Sequence, residues 1–503
     1  MDRRTSLLIR PRRTNRGPNL SPTYLIDLEF GDGRRITATD EVQLNLLPPA
    51  TSDPDTISRY GQELFSRLFT GRLATRFNAE RLTAIQQQQP LHLRLAIDPQ
   101  DTTLQAIPWE LLHLPALDAQ SRPQPLATSD QVLFSRYIDS EQFPLSNPLE
   151  HRPIRMLIIL SEPSDLDRWG LAAFDRKATA QDFKLRFRPF HDTGQLELEI
   201  LPVASESTLR NALERGSHLS ERERGFDVVL YIGHALFVPQ YGTRLLLEDG
   251  PQRRGRLFDG SEFARLIAQL PSTHKPTLIT LVACNSATVD LHAPLSNLAA
   301  QLIAESGIPA VIAMQRLVAI DLARDFTQHL TEMLLRSGLI DLAVTTARRR
   351  IYRPDTLGWS TPVLYTRLNS GRLFQPSTLL SYVEWVLSQE EIIRWAGNEY
   401  INLDCITIPP GQTWHLFQYH PENAPKPISA RDTILSLVAN TTASITPSQQ
   451  LVLLTGSHQS GQTTILRRIC HDLARQAQRD INVPIGVLVS LAGYEQARGD
   501  IRL

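Results

Sequence analysis

The sequence predicts an α/β protein built around a mainly parallel sheet that is flanked by helices. Short apolar segments typical of strands buried on both faces occur at 154–160, 226–233, 277–283 and 308–314. Segments with helical spacing of apolar residues lie between or beside them, at 207–216, 260–270 and 294–307. Strands that alternate with helices indicate β-α-β units, whose functional residues follow the carboxyl ends of the strands.

The composition is that of a globular chain of about three domains. The 503 residues include 52 Lys and Arg and 53 Asp and Glu, which gives a net charge of −1 and does not favour a nucleic-acid partner. No apolar run reaches the ~20 residues that cross a bilayer, so we expect no membrane association. The 3 cysteines are too few for a disulfide framework, and we expect a cytoplasmic protein.

The N-terminal part divides into a tail and a mixed α/β region. Residues 1–19 are rich in arginine, lack the apolar core of a secretion signal, and are predicted to form a loose basic tail. Residues 20–150 are predicted to form the mixed region, with alternating strands at 24–30 and 91–98 and a helical stretch over 57–88. Within it, IPWELLHL, which includes Glu110, predicts a packed turn that docks the region onto the next domain.

The remainder divides into a main domain, a connector and the start of another domain. Residues 151–375 hold the four buried strands and two further predicted strands, at 196–202 and 362–368. Residues 376–445 are predicted to be a helical and loop connector, with an amphipathic helix over 379–397. Residues 446–503 predict the beginning of a P-loop α/β domain that continues beyond this chain, from a strand, a helix and a second strand at 450–456, 461–477 and 483–493.

A histidine and a cysteine follow two of the buried strands directly. His234 comes after 226–233 and Cys284 after 277–283, so the carboxyl ends of two parallel strands bring an imidazole and a thiol together. An imidazole can lower a thiol's pKa from about 8.5 and later protonate a leaving amine. Either residue alone is more often a loop histidine or a packed thiol. The conjunction, with a spacing of fifty residues as in caspases, favours a catalytic dyad.

Several residues near the same edge are candidates for a substrate pocket. Gln315 and Arg316 follow the strand at 308–314, and Arg316 would either select an acidic P1 side chain or be an ordinary solvated arginine. Glu248 and Asp249 would instead attract a basic P1 side chain. Trp359, just before the last strand, would wall the pocket or cap the core.

The segments that carry the dyad resemble the CHAT family of clan CD cysteine peptidases, relatives of caspases and separases. DVVLYIGHA (227–235) and LVACNSA (281–287) carry the strongest likeness. Further similar segments lie at 93–112, 243–250, 298–315, 321–352 and 358–368. The resemblance covers roughly residues 90–375 and implies a caspase-like fold for the main domain.

The resemblance implies a cysteine endopeptidase that hydrolyses a protein substrate without a cofactor or metal. Cys284 would be the nucleophile and His234 the general acid and base. The backbone N–H groups of Cys284 and Ala235 would hold the oxyanion. The family usually has glycine after the histidine, and Ala235 adopts fewer backbone angles.

A second motif, GSHQSGQTT (456–464), is similar to a P-loop. Gly456, Gly461, Thr463 and Thr464 fit the pattern, and the strand–loop–helix setting suits phosphate binding. With the strand that comes after it, it resembles the opening of a NACHT-type ATPase of the STAND class, whose ligand would be ATP or ADP with Mg²⁺. Gln462 replaces the lysine that reaches the phosphates, so a switch domain without ATP hydrolysis is the alternative.

Together these features predict a cysteine endopeptidase effector that is activated through a fused NACHT-type module. By analogy, the role would be prokaryotic defence or programmed cell death, and activation would involve a homo-oligomer. Two alternatives stay open at this point: a pseudo-peptidase that serves as an interaction module, and a nucleotide-dependent switch as the main role.

Overall fold

A computed structural model of the chain describes residues 6–14, 21–49, 52–87, 89–116, 123–139, 143, 148–149, 153–192, 194–216, 224–238, 242–283, 294–316, 318–375, 386–387, 389, 404–405, 428–441 and 462–477. The chain divides into two compact units, residues 1–375 and 376–503.

The first unit is built from sixteen described strands and nine described α-helices, besides short 3-10 turns. Its strands are β1 (Ser6–Arg13), β2 (Thr23–Phe30), β3 (Arg35–Thr37), β4 (Val42–Gln43), β5 (Leu91–Ala96), β6 (His113–Leu114), β7 (Gln124–Pro125), β8 (Val132–Tyr137), β9 (Ile154–Leu160), β10 (Leu196–Ile200), β11 (Val228–Val238), β12 (Gly242–Asp249), β13 (Arg254–Asp259), β14 (Leu278–Ala283), β15 (Ala310–Met314) and β16 (Pro362–Thr366). Its helices are α1 (Pro54–Leu68), α2 (Gly71–Gln86), α3 (Thr102–Ala106), α4 (Arg176–Asp192), α5 (Glu206–Arg215), α6 (Gly260–Gln269), α7 (Pro294–Ser306), α8 (Ile320–Ser337) and α9 (Ile340–Arg350).

One large sheet organises the first unit. Its strands follow the order β10-β9-β11-β14-β15-β16-β8-β5-β1-β2-β3, with β4 beside β2 and the β12–β13 hairpin attached to β11. Neighbours from β10 to β15 are parallel, as are β16, β8, β5 and β1, whereas β15 with β16 and β1 with β2 are antiparallel. The predicted mainly parallel sheet flanked by helices is therefore confirmed.

Residues 6–13 belong to this sheet, so the prediction of a loose tail over residues 1–19 is wrong for them. β1 pairs with β2 on one side and β5 on the other, and Leu7 and Ile9 are buried. The apolar residues between the arginines carry the strand. Arg12 is accommodated because its side chain is partly exposed and its guanidinium pairs with the buried Asp27, at 2.6 Å.

The sheet also crosses the boundary that the sequence placed between residues 150 and 151. Tyr365 and Thr366 of β16 pair with Arg136 and Tyr137 of β8. The mixed N-terminal region and the main domain are thus halves of one unit. Strand pairing between residues more than two hundred positions apart leaves no signal in either local segment.

Helices cover both faces of the sheet, and successive residues of each strand pack on opposite faces. Val228, Leu230 and Ile232 of β11 share a core with α1, α2, α4, α8 and α9, on what we call the α8 face. Val229 and Tyr231 share a second core with α5, α6 and α7, on the α7 face. The same alternation holds in β14 and β15.

β11 extends further than its sequence pattern predicts. The expected strand ends at Gly233, but β11 continues through Val238. Its parallel pairing with β14 ends at Gly233 opposite Ala283, and from His234 onward it pairs with β12 in an antiparallel hairpin. His234 therefore lies inside a strand, at the point where the strand exchanges partners.

The second unit contains β17 (Asp404–Cys405), β18 (Ile428–Ser429), α10 (Ala430–Thr441) and α11 (Gln462–Ala477). α11 confirms the helix predicted over 461–477. It packs on α10 through Ile465, Ile469 and Leu473, and Arg431 pairs with Asp472 at 2.6 Å. The strands predicted at 450–456 and 483–493, and most of the helix predicted over 379–397, lie outside the described residues. No described helix is long and apolar enough to cross a lipid bilayer.

Candidate active site

The candidate site lies at the carboxyl edge of the parallel strands, where β11 and β14 stop pairing. His234 follows Gly233, the last residue of β11 that pairs with β14. Cys284 follows Ala283, the paired residue of β14, and lies outside the described residues. Its predicted roles as nucleophile and as oxyanion donor therefore stay predictions.

The His234 side chain is buried, with 1% of its surface exposed. Burial lowers the pKa of His234 below its ordinary value of 6.5, and a hydrogen bond with the backbone of Ala172 partly opposes this shift. The buried Nε2 atom has no hydrogen-bond partner among the described residues, so Nδ1 is the nitrogen held by Ala172. Burial therefore favours the neutral form of the imidazole, with Nδ1 held in place and Nε2 without a partner among the described residues.

Backbone contacts on both sides hold His234 in position. The Tyr231 hydroxyl donates to the carbonyl oxygens of His234, at 2.8 Å, and Leu246, at 3.0 Å. The Ser161 hydroxyl also donates to the Leu246 carbonyl, at 2.6 Å. A Cβ atom at Gly233 would lie 2.6 Å from the Tyr231 hydroxyl, so only glycine fits there without displacement. Sequence pattern alone did not reveal these two residues, because Tyr231 lies within an apolar strand segment and Ser161 directly follows another one.

Ala235 lies within β11, opposite Leu245 of β12, whereas the sequence pattern predicts a loop after the strand. Its backbone is therefore fixed by the hairpin, and the oxyanion role of its N–H group stays a prediction. A hairpin strand uses extended backbone angles, which alanine adopts as readily as most residues.

Gln315 follows β15 but is committed to internal contacts. Its amide donates to Glu110, at 3.2 Å, and to the carbonyl oxygen of Ser360, at 2.9 Å. Its amide oxygen accepts from Arg136, at 3.2 Å. The expected pocket residue is thus part of the packing beneath this edge of the sheet.

The network around Gln315 is centred on one buried carboxylate and two buried guanidinium groups, which we call the Glu110 cluster: Glu110, Arg136 and Arg348. Arg136 donates to both carboxylate oxygens of Glu110, at 3.1 and 2.5 Å. Arg348 lies 3.8 Å from the same carboxylate and donates to the Pro362 carbonyl. Burial lowers the pKa of Arg348 to about 10. The turn around Glu110, which the sequence predicts to be packed, is buried and also forms an ion-pair site.

Arg316 differs from Gln315 in having no such partner. It is half-buried, and no described residue forms an ion pair or hydrogen bond with it. Burial lowers the pKa of Arg316, and nearby Tyr60 opposes that shift. Arg316 is therefore not a fully solvated surface arginine, which was the alternative to a role in a substrate pocket.

Glu248 is not free to attract a basic substrate side chain, which corrects its assignment as a pocket candidate. Its buried carboxylate accepts from the backbone N–H groups of Glu162 and Ala204, both at 3.1 Å, and from Arg253, at 2.6 and 3.0 Å. Asp249 next to it is exposed and lies 4.0 Å from Arg256. The alternation of β12 separates the two carboxylates, so they do not form one acidic pocket.

Trp359 caps the core, which is one of its two expected roles. It is 1% exposed, packs in the core of the α8 face, and lies 5.4 Å from the ring of Tyr352. A side chain this enclosed does not wall an open pocket.

The P-loop candidates are described only in part. Gln462, Thr463 and Thr464 form the first turn of α11, whereas Gly456 and Gly461 lie outside the described residues. Within the described parts of the chain, no group of three or more His, Cys, Asp or Glu side chains is placed to hold a metal ion.

The family model for the CHAT domain matches residues 58–401, roughly two thirds of the chain. The chain belongs to the CHAT domain family. The match confirms the CHAT resemblance and extends it toward the N-terminus, to include most of α1 and all of α2. It contains His234, Cys284 and Arg316, whereas the P-loop candidates lie beyond its end.

Two solved structures of the separase–securin complex from Saccharomyces cerevisiae also show similarity to this CHAT chain. One is 18% identical with a TM-score of 0.31, and covers 55% of this chain and 15% of the separase-complex chain that it matches. The other is 17% identical with a TM-score of 0.31, and covers 55% and 16%. The CHAT chain thus spans about a sixth of those chains. No curated protein matches it.

Proposed function

We propose that this CHAT protein is a cysteine endopeptidase in which Cys284 is the nucleophile and His234 is the general acid and base. The observation that carries the proposal is the buried Nε2 of His234 at the end of the β11–β14 ladder, which has no hydrogen-bond partner among the described residues. A buried nitrogen without a hydrogen-bond partner lowers the stability of the folded chain. A catalytic role, in which Nε2 of His234 exchanges a proton with Cys284, would explain why this arrangement is retained.

The strand register supports the pairing of these two residues. Gly233 and Ala283 are opposite each other in adjacent strands, which lie about 4.8 Å apart. Cys284 is one peptide bond beyond Ala283, so its Cα is about 3.8 Å from that of Ala283. Val228, Leu230 and Ile232 face the α8 side, as do Leu278 and Val282. We propose that His234 and Cys284 act on that same face, which Ile232 and Val282, two positions before them, already share.

The proposed reaction proceeds by acyl transfer to sulfur. Nε2 of His234 accepts the thiol proton, and the thiolate attacks the carbonyl carbon of the scissile peptide bond. The imidazolium then protonates the leaving amine as the C–N bond breaks, which leaves a thioester on Cys284. Water, deprotonated by the same nitrogen, hydrolyses the thioester and returns the thiol. The hydrogen bond to Ala172 keeps the ring oriented through both proton transfers.

The pH dependence of Cys284 alkylation tests this proposal. We expect Cys284 to react with iodoacetamide at a pH well below its ordinary pKa of about 8.5, and to lose that reactivity in His234→Ala. Peptide-resolved mass spectrometry separates the three cysteines. Cys470 is the internal control, because burial raises the pKa of its thiol. Equal titration of Cys284 in both variants would instead support the pseudo-peptidase alternative.

We also propose that residues 446–503 begin a NACHT-type module of the STAND class that binds ADP or ATP with Mg²⁺. The first turn of α11 presents Gln462, Thr463 and Thr464 at a helix N-terminus, which favours phosphate through its unpaired N–H groups. Calorimetry on the full chain tests this. We expect Gln462→Lys to bind ADP more tightly than wild type, and Gln476→Lys, which adds the same charge at the exposed far end of α11, to leave binding unchanged. No binding to any of the three would contradict the assignment.

The biological role that we propose is that of a cytoplasmic effector in prokaryotic defence or programmed cell death, which cleaves a cellular protein after assembly into a homo-oligomer. This role rests on the combination of a peptidase with a nucleotide-binding module. Expression in a bacterial host under phage challenge tests it. Protection should require Cys284, and equal protection by Cys284→Ala would refute a proteolytic effector.

A further inference from the structure

A second unsatisfied group lies beside Arg316. Tyr60 of α1 is 8% exposed, and its buried hydroxyl has no hydrogen-bond partner among the described residues. It lies close enough to Arg316 for the guanidinium to lower its pKa, against the larger effect of burial. Glu63, a carboxylate that raises the pKa of Tyr60, is paired with Arg67 at 2.7 Å. A half-buried cation and a buried hydroxyl thus lie within electrostatic range of each other, and neither has a hydrogen-bond or ion-pair partner among the described residues.

The strand register places these two groups near His234. Leu281 of β14 is opposite Ala313 of β15. Extended by two residues, this register sets Ala283 of β14 opposite Gln315. Ala283 is also opposite Gly233 of β11, on its other side. By extension of that register one residue beyond the row, past the end of β15 at Met314, His234 and Arg316 would be two strand spacings, about 10 Å, apart in their backbones. Both lie on the α8 face. Every second residue of β15 packs on the α8 face, namely Ala310, Ile312 and Met314, and Arg316 is the next position in that series. Tyr60 belongs to the same core.

We propose that Arg316 and Tyr60 bind the carboxylate of an aspartate or glutamate side chain at the substrate position that precedes the scissile bond. The proposal rests on the proposed peptidase function, since it requires a peptide held against His234. The guanidinium supplies a planar pair of N–H donors that matches a carboxylate, and the hydroxyl supplies a third donor. Tyr60 and Arg316 would then both gain the partner that they lack within the described chain.

Charge and burial favour an acidic side chain over a neutral one. The half-buried Arg316 guanidinium has no counterion among the described residues and has lost part of its hydration, and binding an anion offsets that loss. A basic side chain would meet an uncompensated like charge at the same place. The two acidic residues that could attract a basic side chain do not offset this, because Glu248 is already saturated by hydrogen bonds and Asp249 is exposed.

The experiment uses peptidyl acyloxymethyl ketones that are identical except for aspartate, glutamate, asparagine or arginine at the P1 position. Their rates of labelling of Cys284 in the full chain are measured by peptide-resolved mass spectrometry. We expect wild type to react with the aspartate or glutamate probe about 10- to 100-fold faster than with the asparagine probe, as is typical of a charged hydrogen bond. Arg316→Gln should remove that preference, and Arg316→Lys should keep part of it.

Two further variants separate recognition from a general effect on the fold. Tyr60→Phe removes only the hydroxyl and should reduce the acidic preference severalfold. Arg188→Gln removes an exposed arginine of α4 and should leave the preference unchanged. If Cys284 reacts equally with acidic and neutral probes, or if Arg316→Gln keeps the preference, the assignment of Arg316 is overturned while the peptidase proposal stands. If no probe labels Cys284 in wild type, both proposals fail.

Discussion

The substitution Glu110→Gln tests whether the buried carboxylate of the Glu110 cluster stabilises the fold by compensating the charges of Arg136 and Arg348. The substitution keeps the shape of the side chain and one of its oxygen acceptors, but removes the charge. Two fully buried guanidinium groups would then face each other, since Arg136 contacts the carboxylate directly and Arg348 lies 3.8 Å from it. Gln315, which also donates to Glu110, would lose part of its anchor.

The size of the effect follows from the burial of all three side chains. At an effective dielectric constant of about 20, unit charges about 4 Å apart attract by about 4 kcal/mol. Breaking a buried pair by removing one partner costs about 3–5 kcal/mol, because the remaining charge is left uncompensated. We expect Glu110→Gln to lose about that much free energy of unfolding, a large share of the ~5–15 kcal/mol that stabilises a typical protein.

Urea unfolding of the full chain, followed by tryptophan fluorescence, measures this loss. Trp109 reports on the cluster, because it is buried next to Glu110 and its indole donates to the Leu104 carbonyl. The matched control is Glu63→Gln, which removes an exposed partner of Arg67 and should change stability by less than about 1 kcal/mol.

A second substitution tests whether the charges are the cause. Arg348→Met removes one of the two uncompensated guanidinium groups, so we expect the double variant Glu110→Gln/Arg348→Met to be more stable than Glu110→Gln alone. A loss below about 1 kcal/mol for Glu110→Gln, or fully additive losses in the double variant, would refute the electrostatic explanation.

Three further outcomes are expected from the site and its surroundings. Gly233→Ala should overpack the strand against Tyr231, cost about 1–3 kcal/mol and slow Cys284 alkylation at neutral pH, whereas normal alkylation would show that His234 is not displaced. Glu248→Ala should cost about 2–5 kcal/mol in urea unfolding because it leaves buried N–H groups unsatisfied, against a change within about 0.5 kcal/mol for the exposed Asp249→Ala. Because burial lowers the pKa of His234 in the folded chain, the unfolded chain takes up a proton first as the pH falls below 6.5, and stability decreases there. His234→Asn should lessen that decrease between about pH 7.5 and about pH 5.5, and an unchanged pH dependence would contradict the lowered pKa.

The order of strands and helices in the main sheet could be predicted from local pattern. The apolar segments at 154–160, 277–283 and 308–314 became β9, β14 and β15 with small changes of boundary. Gly307, the last residue of the helical segment predicted over 294–307, has the positive φ of 72° typical of a residue that ends a helix. The placement of His234 at the carboxyl edge also followed from sequence, since parallel strands all end at one edge.

The tertiary structure decided what each charged residue near that edge contacts. Glu248 and Gln315 follow apolar segments just as Arg316 does. The first two are saturated by partners from distant elements, whereas no part of the chain that the structure describes supplies a partner for Arg316. Sequence spacing reports which residues share a face of a strand, but not which donors another part of the chain brings to that face.

The same distinction explains the position of β1. Its arginine-rich sequence predicted a solvated tail, and only the pairing with β2 and β5 shows where the apolar residues between the arginines are buried. Sequence by itself thus determined the periodic burial that makes strands and helices, together with the residue types at the edge of the sheet. The partners of those residues depend on contacts between segments far apart in the chain, which hydrophobic burial brings together only in the folded protein.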